Sequence, residues 1–105
     1  MSYKIVRTEK ADALIRDIIC YIADNFGVNT ALEKLDEMEA SINALADNPC
    51  LGEIPRYTVL RRQGYRVLVL KKDMVFYKID DKNEQIIIYA VVDQRQDYLD
   101  IVRSF

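Results

Sequence analysis

The sequence predicts an α+β domain in which an antiparallel helical hairpin packs against an antiparallel sheet. Apolar residues recur at helical spacing through the first half of the chain, and apolar runs of strand length fill the second half. The turns between those runs are short, which favours antiparallel neighbours. A length of 105 residues fits a single domain, 1–105, with no linker, repeat or low-complexity tract.

The N-terminal segment predicts a strand and then a long amphipathic helix. Residues Tyr3–Arg7 form the strand, and Thr8 stands where the N-cap of a helix belongs. One apolar stripe follows at intervals that fit a helix: Ala11, Leu14, Ile15, Ile18, Ile19, Ile22 and Phe26. Gly27 is placed to close this helix as its C-terminal cap.

A second helix begins almost at once, with Asn29 as a plausible cap. Its apolar positions continue on a repeat of four and three residues: Ala31, Leu35, Met38, Ile42 and Leu45. The dipeptide Asn48-Pro49 ends it. Because only Gly27 and Val28 separate the two helices, we expect them to fold back as a hairpin.

The second half of the chain predicts a curved four-stranded antiparallel meander. Its strands are Tyr57–Arg61, Tyr65–Lys71, Met74–Asp80 and Glu84–Val92. Residues Asp97–Arg103 are expected to form a short C-terminal helix.

The predicted sheet is apolar on both of its faces. In the strand that starts at Tyr65, Val67 and Val69 share the face of Tyr65, whereas Arg66, Leu68 and Leu70 lie on the other. The helical hairpin can cover only one face. The other face is therefore expected to receive a partner, unless the sheet curls enough for the C-terminal tail to hide it.

Composition excludes several kinds of site. The chain has no histidine and only three glycines, which excludes a histidine-activated nucleophile and makes a glycine-rich phosphate loop improbable. No spacing suggests zinc, and no cofactor is expected. Cys20 and Cys50 are expected to be ordinary packed or half-packed thiols. The absence of a signal-like or membrane-length apolar run predicts a cytoplasmic protein without a membrane partner.

Charge divides the chain into two unequal halves. Residues 1–50 hold five basic and nine acidic side chains, whereas residues 51–105 hold ten basic and eight acidic ones. Within 56–78 the only acid is Asp73, and the basic residues are Arg56, Arg61, Arg62, Arg66, Lys71, Lys72 and Lys78. This stretch is either a solvated sheet edge, where cations deter strand addition, or an anion-binding face.

Two segments and the order of the elements resemble the RelE/ParE superfamily of bacterial type II toxins. The segments are Gly-Tyr-Arg-Val at residues 64–67 and Tyr-Ala-Val-Val-Asp-Gln-Arg at residues 89–95. The resemblance extends from Tyr3 to about Ile101. It implies a small cytoplasmic growth inhibitor of a toxin-antitoxin system, of the kind linked to plasmid stabilization and silenced by a cognate antitoxin.

The resemblance leaves the cellular target open between two classes. RelE-like toxins cut mRNA in the ribosomal A site; that reading would make Arg66 and Arg95 phosphate contacts and Tyr98 a catalytic tyrosine, although Tyr98 lies three residues early. ParE-like toxins bind DNA gyrase. Two lysines of the RelE type are replaced by Tyr57 and Val59, and the pI is about 5.1, so the chain looks closer to ParE. A third reading is a degenerate toxin kept for its antitoxin complex.

Other interpretations of the arginines remain open at this stage. Arg66 could pair with an acid such as Asp93, and Arg95 could anchor the tail. If the basic stretch is a docking surface, it accepts an antitoxin segment or the cellular target. The residues expected to form that surface are Arg56, Arg61, Arg62, Lys71, Leu68 and Leu70.

Overall fold

A computed structural model describes residues 2–94 of the chain. Its elements are β1 (Lys4–Arg7), α1 (Glu9–Phe26), α2 (Val28–Asn43), two 3₁₀ turns (Ala44–Ala46 and Pro49–Leu51), α3 (Thr58–Arg62), β2 (Tyr65–Val69), β3 (Asp73–Asp80) and β4 (Gln85–Asp93). The predicted C-terminal helix, which contains Tyr98, and the predicted site residue Arg95 lie outside the described residues.

The four strands form one sheet in the order β1-β4-β3-β2. Strand β1 runs parallel to β4, with Ile5 opposite Ile86, whereas β2, β3 and β4 are joined antiparallel. The helical hairpin supplies the long connection that a parallel pair requires. The α+β class and the N-terminal strand are confirmed, but the meander has three strands and the N-terminal strand supplies the fourth.

The segment predicted as the strand Tyr57–Arg61 is wrong, because it forms the short helix α3. The amide of Arg61 donates to the carbonyl of Tyr57 at 3.1 Å, and Leu60 is completely buried. A strand would have turned Tyr57 and Val59 to one side, but the helix turns Tyr57 and Leu60 inward and leaves Val59 exposed. The aromatic and β-branched residues here favour a strand locally, and packing against the sheet outweighs that preference.

The ends of α1 follow the predicted capping chemistry. The hydroxyl of Thr8 accepts a hydrogen bond from the amide of Ala11 at 3.1 Å, which confirms Thr8 as the N-cap. Gly27 has a φ of +100°, a conformation that side chains disfavour, and its amide donates to the carbonyl of Ala23. Helix α2 starts at Val28, so Gly27 flanks both helices and Asn29 is not the cap.

Both faces of the sheet carry buried side chains. The hairpin side contains Ala11, Ile15, Met38, Ile42, Leu45, Leu68, Val75, Tyr77, Ile86, Ile88 and Val91. The opposite side contains Leu60, Tyr65, Val67, Met74, Phe76, Ala90 and Val92. The expectation of a bare second face is therefore wrong, since these side chains are buried there and Leu60 of α3 packs among them. The alternative, that the C-terminal tail hides this face, lies outside the described residues.

The even-numbered residues of strand β4 change from one face of the sheet to the other because its pairing with β3 is irregular. The register shifts between Phe76 and Tyr77, which face Ala90 and Ile88, and Tyr89 is the extra residue. An extra residue changes the alternation of a strand. Ile88 and Val91 consequently join the hairpin-side cluster, while Ala90 joins the opposite one.

The β3–β4 turn predicts a measurable response to acid. The carboxylate of Asp80 accepts hydrogen bonds from the amide (3.2 Å) and side chain (2.8 Å) of Asn83, and these bonds lower the pKa of Asp80 below 3.8. A lowered pKa stabilises the fold above the unfolded-state pKa, and this stabilisation is lost as pH falls through the folded-state value. Asp80→Asn should therefore reduce the free energy of unfolding at neutral pH but not in strong acid.

Urea denaturation at the two pH values measures this difference. Asp47→Asn, which neutralises another exposed carboxylate, is the matched control. An equal loss for Asp80→Asn at both pH values would contradict the assigned role of the Asp80 carboxylate.

Candidate functional site

Arg66 lies on β2 at the edge of the sheet, and its guanidinium is held by a loop. Nη2 donates to the carbonyl of Gly52 at 2.8 Å and to that of Cys50 at 3.3 Å. Nε is buried and has no hydrogen-bond acceptor among residues 2–94. The hydrogen-bond partners of Arg66 are thus backbone carbonyls. Through them Arg66 holds residues 50–52 against the sheet.

Tyr77 fixes the same loop from beneath. Its hydroxyl donates to the carbonyl of Pro49 at 2.7 Å and accepts from the amide of Gly52 at 2.9 Å, although the ring is fully buried. A Cβ at Gly52 would lie 2.5 Å from that hydroxyl, so only glycine fits. Glu53 and Val67 exchange two backbone hydrogen bonds. Residues 49–53 therefore cover part of the free edge of β2, which protects it from strand addition.

Three of the predicted binding residues form an exposed patch around α3. Arg56, Arg61 and Arg62 are exposed, and Arg61 donates to the hydroxyl of Thr58 at 3.0 Å. Ile54 and Val59 lie beside them in the chain, exposed to 65% and 57%. We call these five residues the arginine patch. It combines positive charge with apolar area, as a protein-binding surface does.

The other predicted binding residues divide between surface and core. Lys71 is exposed. Leu68 is buried in the hairpin-side cluster, and Leu70 is partly buried against it. These two leucines face the core because the hairpin covers that side of β2, so Leu68 is removed from the binding surface.

A groove that the sequence did not predict opens between the helical hairpin and the ends of β3 and β4. It encloses about 760 Å³. Its lining residues are Leu14, Asp17, Ile18, Tyr21, Ile22, Phe26, Thr30, Glu33, Lys34, Glu37, Lys71, Lys72, Asp73, Val91, Val92 and Asp93. We call this surface the hairpin groove. Phe26 belongs to the apolar stripe of α1 but is 66% exposed.

The floor of the hairpin groove contains a buried ion pair. Asp73, the first residue of β3, is only 3% exposed, and Lys34 of α2 places its ammonium 2.5 Å from Asp73 Oδ2. The ammonium therefore balances the charge of the buried carboxylate. The sequence placed Asp73 in a turn and gave no signal of this pair, because Lys34 is 39 positions earlier in the chain.

Aromatic residues on the second face pack against one another and against a lysine. The rings of Tyr65 and Tyr89 meet edge to face at 5.2 Å, and Lys78 Nζ lies 4.4 Å from the Tyr65 ring centre. Burial raises the pKa of Tyr65, and Tyr89 adds to the rise. These contacts make both tyrosines part of the packing on this face of the sheet.

Other chemistry is limited within residues 2–94. No group of three or more metal-ligating side chains occurs there. Cys20 and Cys50 are free and exposed, so the expectation that they are packed or half-packed is wrong. None of the helices in this range is long and apolar enough to cross a membrane.

Comparison with known proteins identifies the class to which this fold and these surfaces belong. Residues 5–98 match the family described as the ParE toxin of the type II toxin-antitoxin system parDE. The toxin ParE1 of Caulobacter vibrioides is 32% identical over 77 residues, which cover 73% of this chain and 75% of that protein. The chain belongs to the ParE toxin family of type II toxin-antitoxin systems.

Solved structures share the same fold at low sequence identity. A chain of the chromosomal ParDE system of P. aeruginosa superposes with a TM-score of 0.72 at 18% identity, covering 88% of this chain and 96% of that one. A mutant of the E. coli toxin RelE in the free state gives a TM-score of 0.64 at 12% identity, covering 100% of this chain and 99% of that one. The fold is therefore that of RelE/ParE toxins.

The contacts of Tyr77 predict a large effect from a small substitution. Tyr77→Phe removes one hydroxyl and leaves the Pro49 carbonyl and the Gly52 amide without their partner. We expect the free energy of unfolding to fall by about 1–3 kcal/mol, the usual cost of unpaired buried polar groups. Urea denaturation measures the loss, and Tyr21→Phe, on an exposed ring, is the control. Equal stability of the two variants would contradict the role of the hydroxyl.

Proposed function

We propose that this ParE-family toxin inhibits growth by binding DNA gyrase and that a cognate antitoxin neutralises it. The observation that carries the proposal is the family match over residues 5–98. The matched relative is itself described as a ParE1 toxin. Growth inhibition in the cytoplasm and a contribution to plasmid stabilization follow from the same proposal.

An antitoxin partner is supported by the solved relatives and by the surface of this chain. The ParDE system of P. aeruginosa and the RelBE2 complex of Mycobacterium tuberculosis are toxin-antitoxin systems, and each contains a chain with this fold. The arginine patch and the hairpin groove are two separate regions where apolar area and charge are exposed together. We propose that the antitoxin covers both.

The contacts of Arg66 favour gyrase binding over mRNA cleavage. A phosphate contact requires guanidinium N–H groups that are free to bind it; in Arg66, Nη2 is directed at loop carbonyls and Nε is buried, so few donors remain for a phosphate. The chain also has no histidine to exchange protons near neutral pH. In the RelE-like alternative, Arg66, Arg95 and Tyr98 keep their predicted catalytic roles.

An assay with purified full-length toxin tests the target. The toxin should inhibit DNA supercoiling by gyrase, or trap gyrase on cleaved DNA, while translation in a cell-free extract continues. Addition of equimolar antitoxin should restore supercoiling, which controls for contaminants. Cuts in mRNA at the ribosomal A site that Arg66→Ala abolishes would instead establish the RelE-like alternative. Expression without any growth defect would overturn both.

The arginine patch predicts a salt-dependent contact with acidic residues of the antitoxin. Reversing Arg61 and Arg62 together to glutamate should weaken the complex roughly tenfold at low ionic strength, and the effect should shrink as salt screens the charges. Titration calorimetry at two salt concentrations measures the change. Lys4→Glu with Lys82→Glu, which reverses two exposed cations elsewhere, is the control. Unchanged affinity of the arginine variant would exclude this docking surface.

A further inference from the structure

We infer that the tip of the helical hairpin is the surface through which this toxin binds gyrase. Three apolar side chains form what we call the tip cluster: Phe26, Val28 and Leu32, which are 66%, 65% and 52% exposed. The inference rests on the proposed function, because it names the part of the toxin that the proposed target contacts. It gives the target a surface separate from the arginine patch and from most of the hairpin groove.

The tip cluster is carried by a closely hydrogen-bonded turn. Helices α1 and α2 are separated by Gly27 alone, and the amide of Gly27 donates to the carbonyl of Ala23 at 3.1 Å. The carbonyl of Gly27 accepts from the amide of Ala31 at 3.1 Å, so the hydrogen bonds of each helix continue into the turn. A surface that is ordered before it meets its partner loses little conformational entropy on binding.

The apolar side chains of the tip cluster lie next to one another. Phe26 and Val28 flank Gly27, and Leu32 lies one helical turn after Val28 on the same face of α2. Large apolar side chains exposed together indicate an interaction surface. Phe26 also lines the hairpin groove, whereas Val28 and Leu32 do not. An occupant of the groove therefore leaves Val28 and Leu32 available to a different partner.

Charge indicates which kind of partner fits the tip. Between Asp17 and Pro55 the only basic residue is Lys34, and its ammonium is paired with the buried carboxylate of Asp73. The exposed acids on this part of the hairpin are Asp24, Glu33, Asp36 and Glu37. The tip therefore combines exposed apolar side chains with a net negative charge.

Gyrase complements a surface of this kind because it binds DNA. An enzyme that binds DNA presents basic side chains to the phosphates. An acidic surface is attracted to such a basic region, and apolar side chains within it add contacts that salt does not screen. A second copy of the toxin fits less well, because a symmetric contact between two tips brings like charges together.

Removal of apolar side chains tests the contact. Val28→Ser with Leu32→Gln should raise the concentration of full-length toxin that inhibits gyrase supercoiling by about tenfold or more, since a few apolar anchors dominate binding. Affinity for the antitoxin encoded beside the toxin should stay within about twofold, which shows that the variant is folded. Leu51→Gln with Val69→Ser, at exposed side chains on and beside β2, is the matched control and should inhibit like the wild type.

Reversal of two acids tests the electrostatic part of the contact. Asp24→Lys with Asp36→Lys should weaken binding to purified gyrase several-fold at low salt, and the difference from the wild type should shrink as salt rises. Asp47→Lys with Glu53→Lys reverses two exposed acids outside the hairpin and is the control. Biolayer interferometry without DNA measures both variants. Equal binding by the two variants at low salt overturns the inference.

The alternatives give different results in these assays. Equal inhibition of gyrase by the wild type and by the Val28→Ser Leu32→Gln variant overturns the inference. If that variant loses antitoxin affinity while its inhibition of gyrase is unchanged, the tip belongs to the antitoxin interface and the inference fails. It also fails if the variant abolishes a wild-type dimer and still inhibits gyrase. Failure of the wild-type toxin to bind gyrase overturns the proposed function instead.

Discussion

The fold depends on one constraint: the sheet is apolar on both faces, so other elements must bury both of them. The helical hairpin buries one face with residues such as Met38, Ile42 and Leu45, and the buried Leu60 of α3 packs on the other. The helices that cover the sheet also expose apolar and charged side chains of their own. The open areas are the hairpin tip and the outer surface of α3, which carry the groove and the arginine patch.

The contacts of Arg66 in the structure differ from the role that its sequence position suggests. Its position in the sequence pattern resembles that of a phosphate-binding arginine, but its guanidinium bonds the carbonyls of Cys50 and Gly52. Together with Tyr77, it ties residues 49–53 to the sheet edge. A cation whose donors are directed at the backbone stabilises a loop, and this assignment agrees with the ParE family match.

The arginine patch and the hairpin groove differ in charge, so a partner that binds both must match each of them. The arginine patch is cationic, while the hairpin groove is lined by more acids than bases. Formal net charge, which is −2 for the chain, hides this separation because opposite charges lie on different elements. A partner that covers both surfaces needs segments of opposite charge, which makes pairing selective among similar toxins and antitoxins.

Local chemistry determined the elements that the sequence predicted: the stripe from Ala11 along α1, the Thr8 cap, the glycine at position 27 and the strands after Tyr65. Periodicity and capping are local, so they are visible in one chain. The tertiary structure alone decided that residues 58–62 are helical, that Leu68 is core, and that Lys34 meets Asp73. Those outcomes depend on contacts between distant residues, where burial outweighs the weak preference of a short segment.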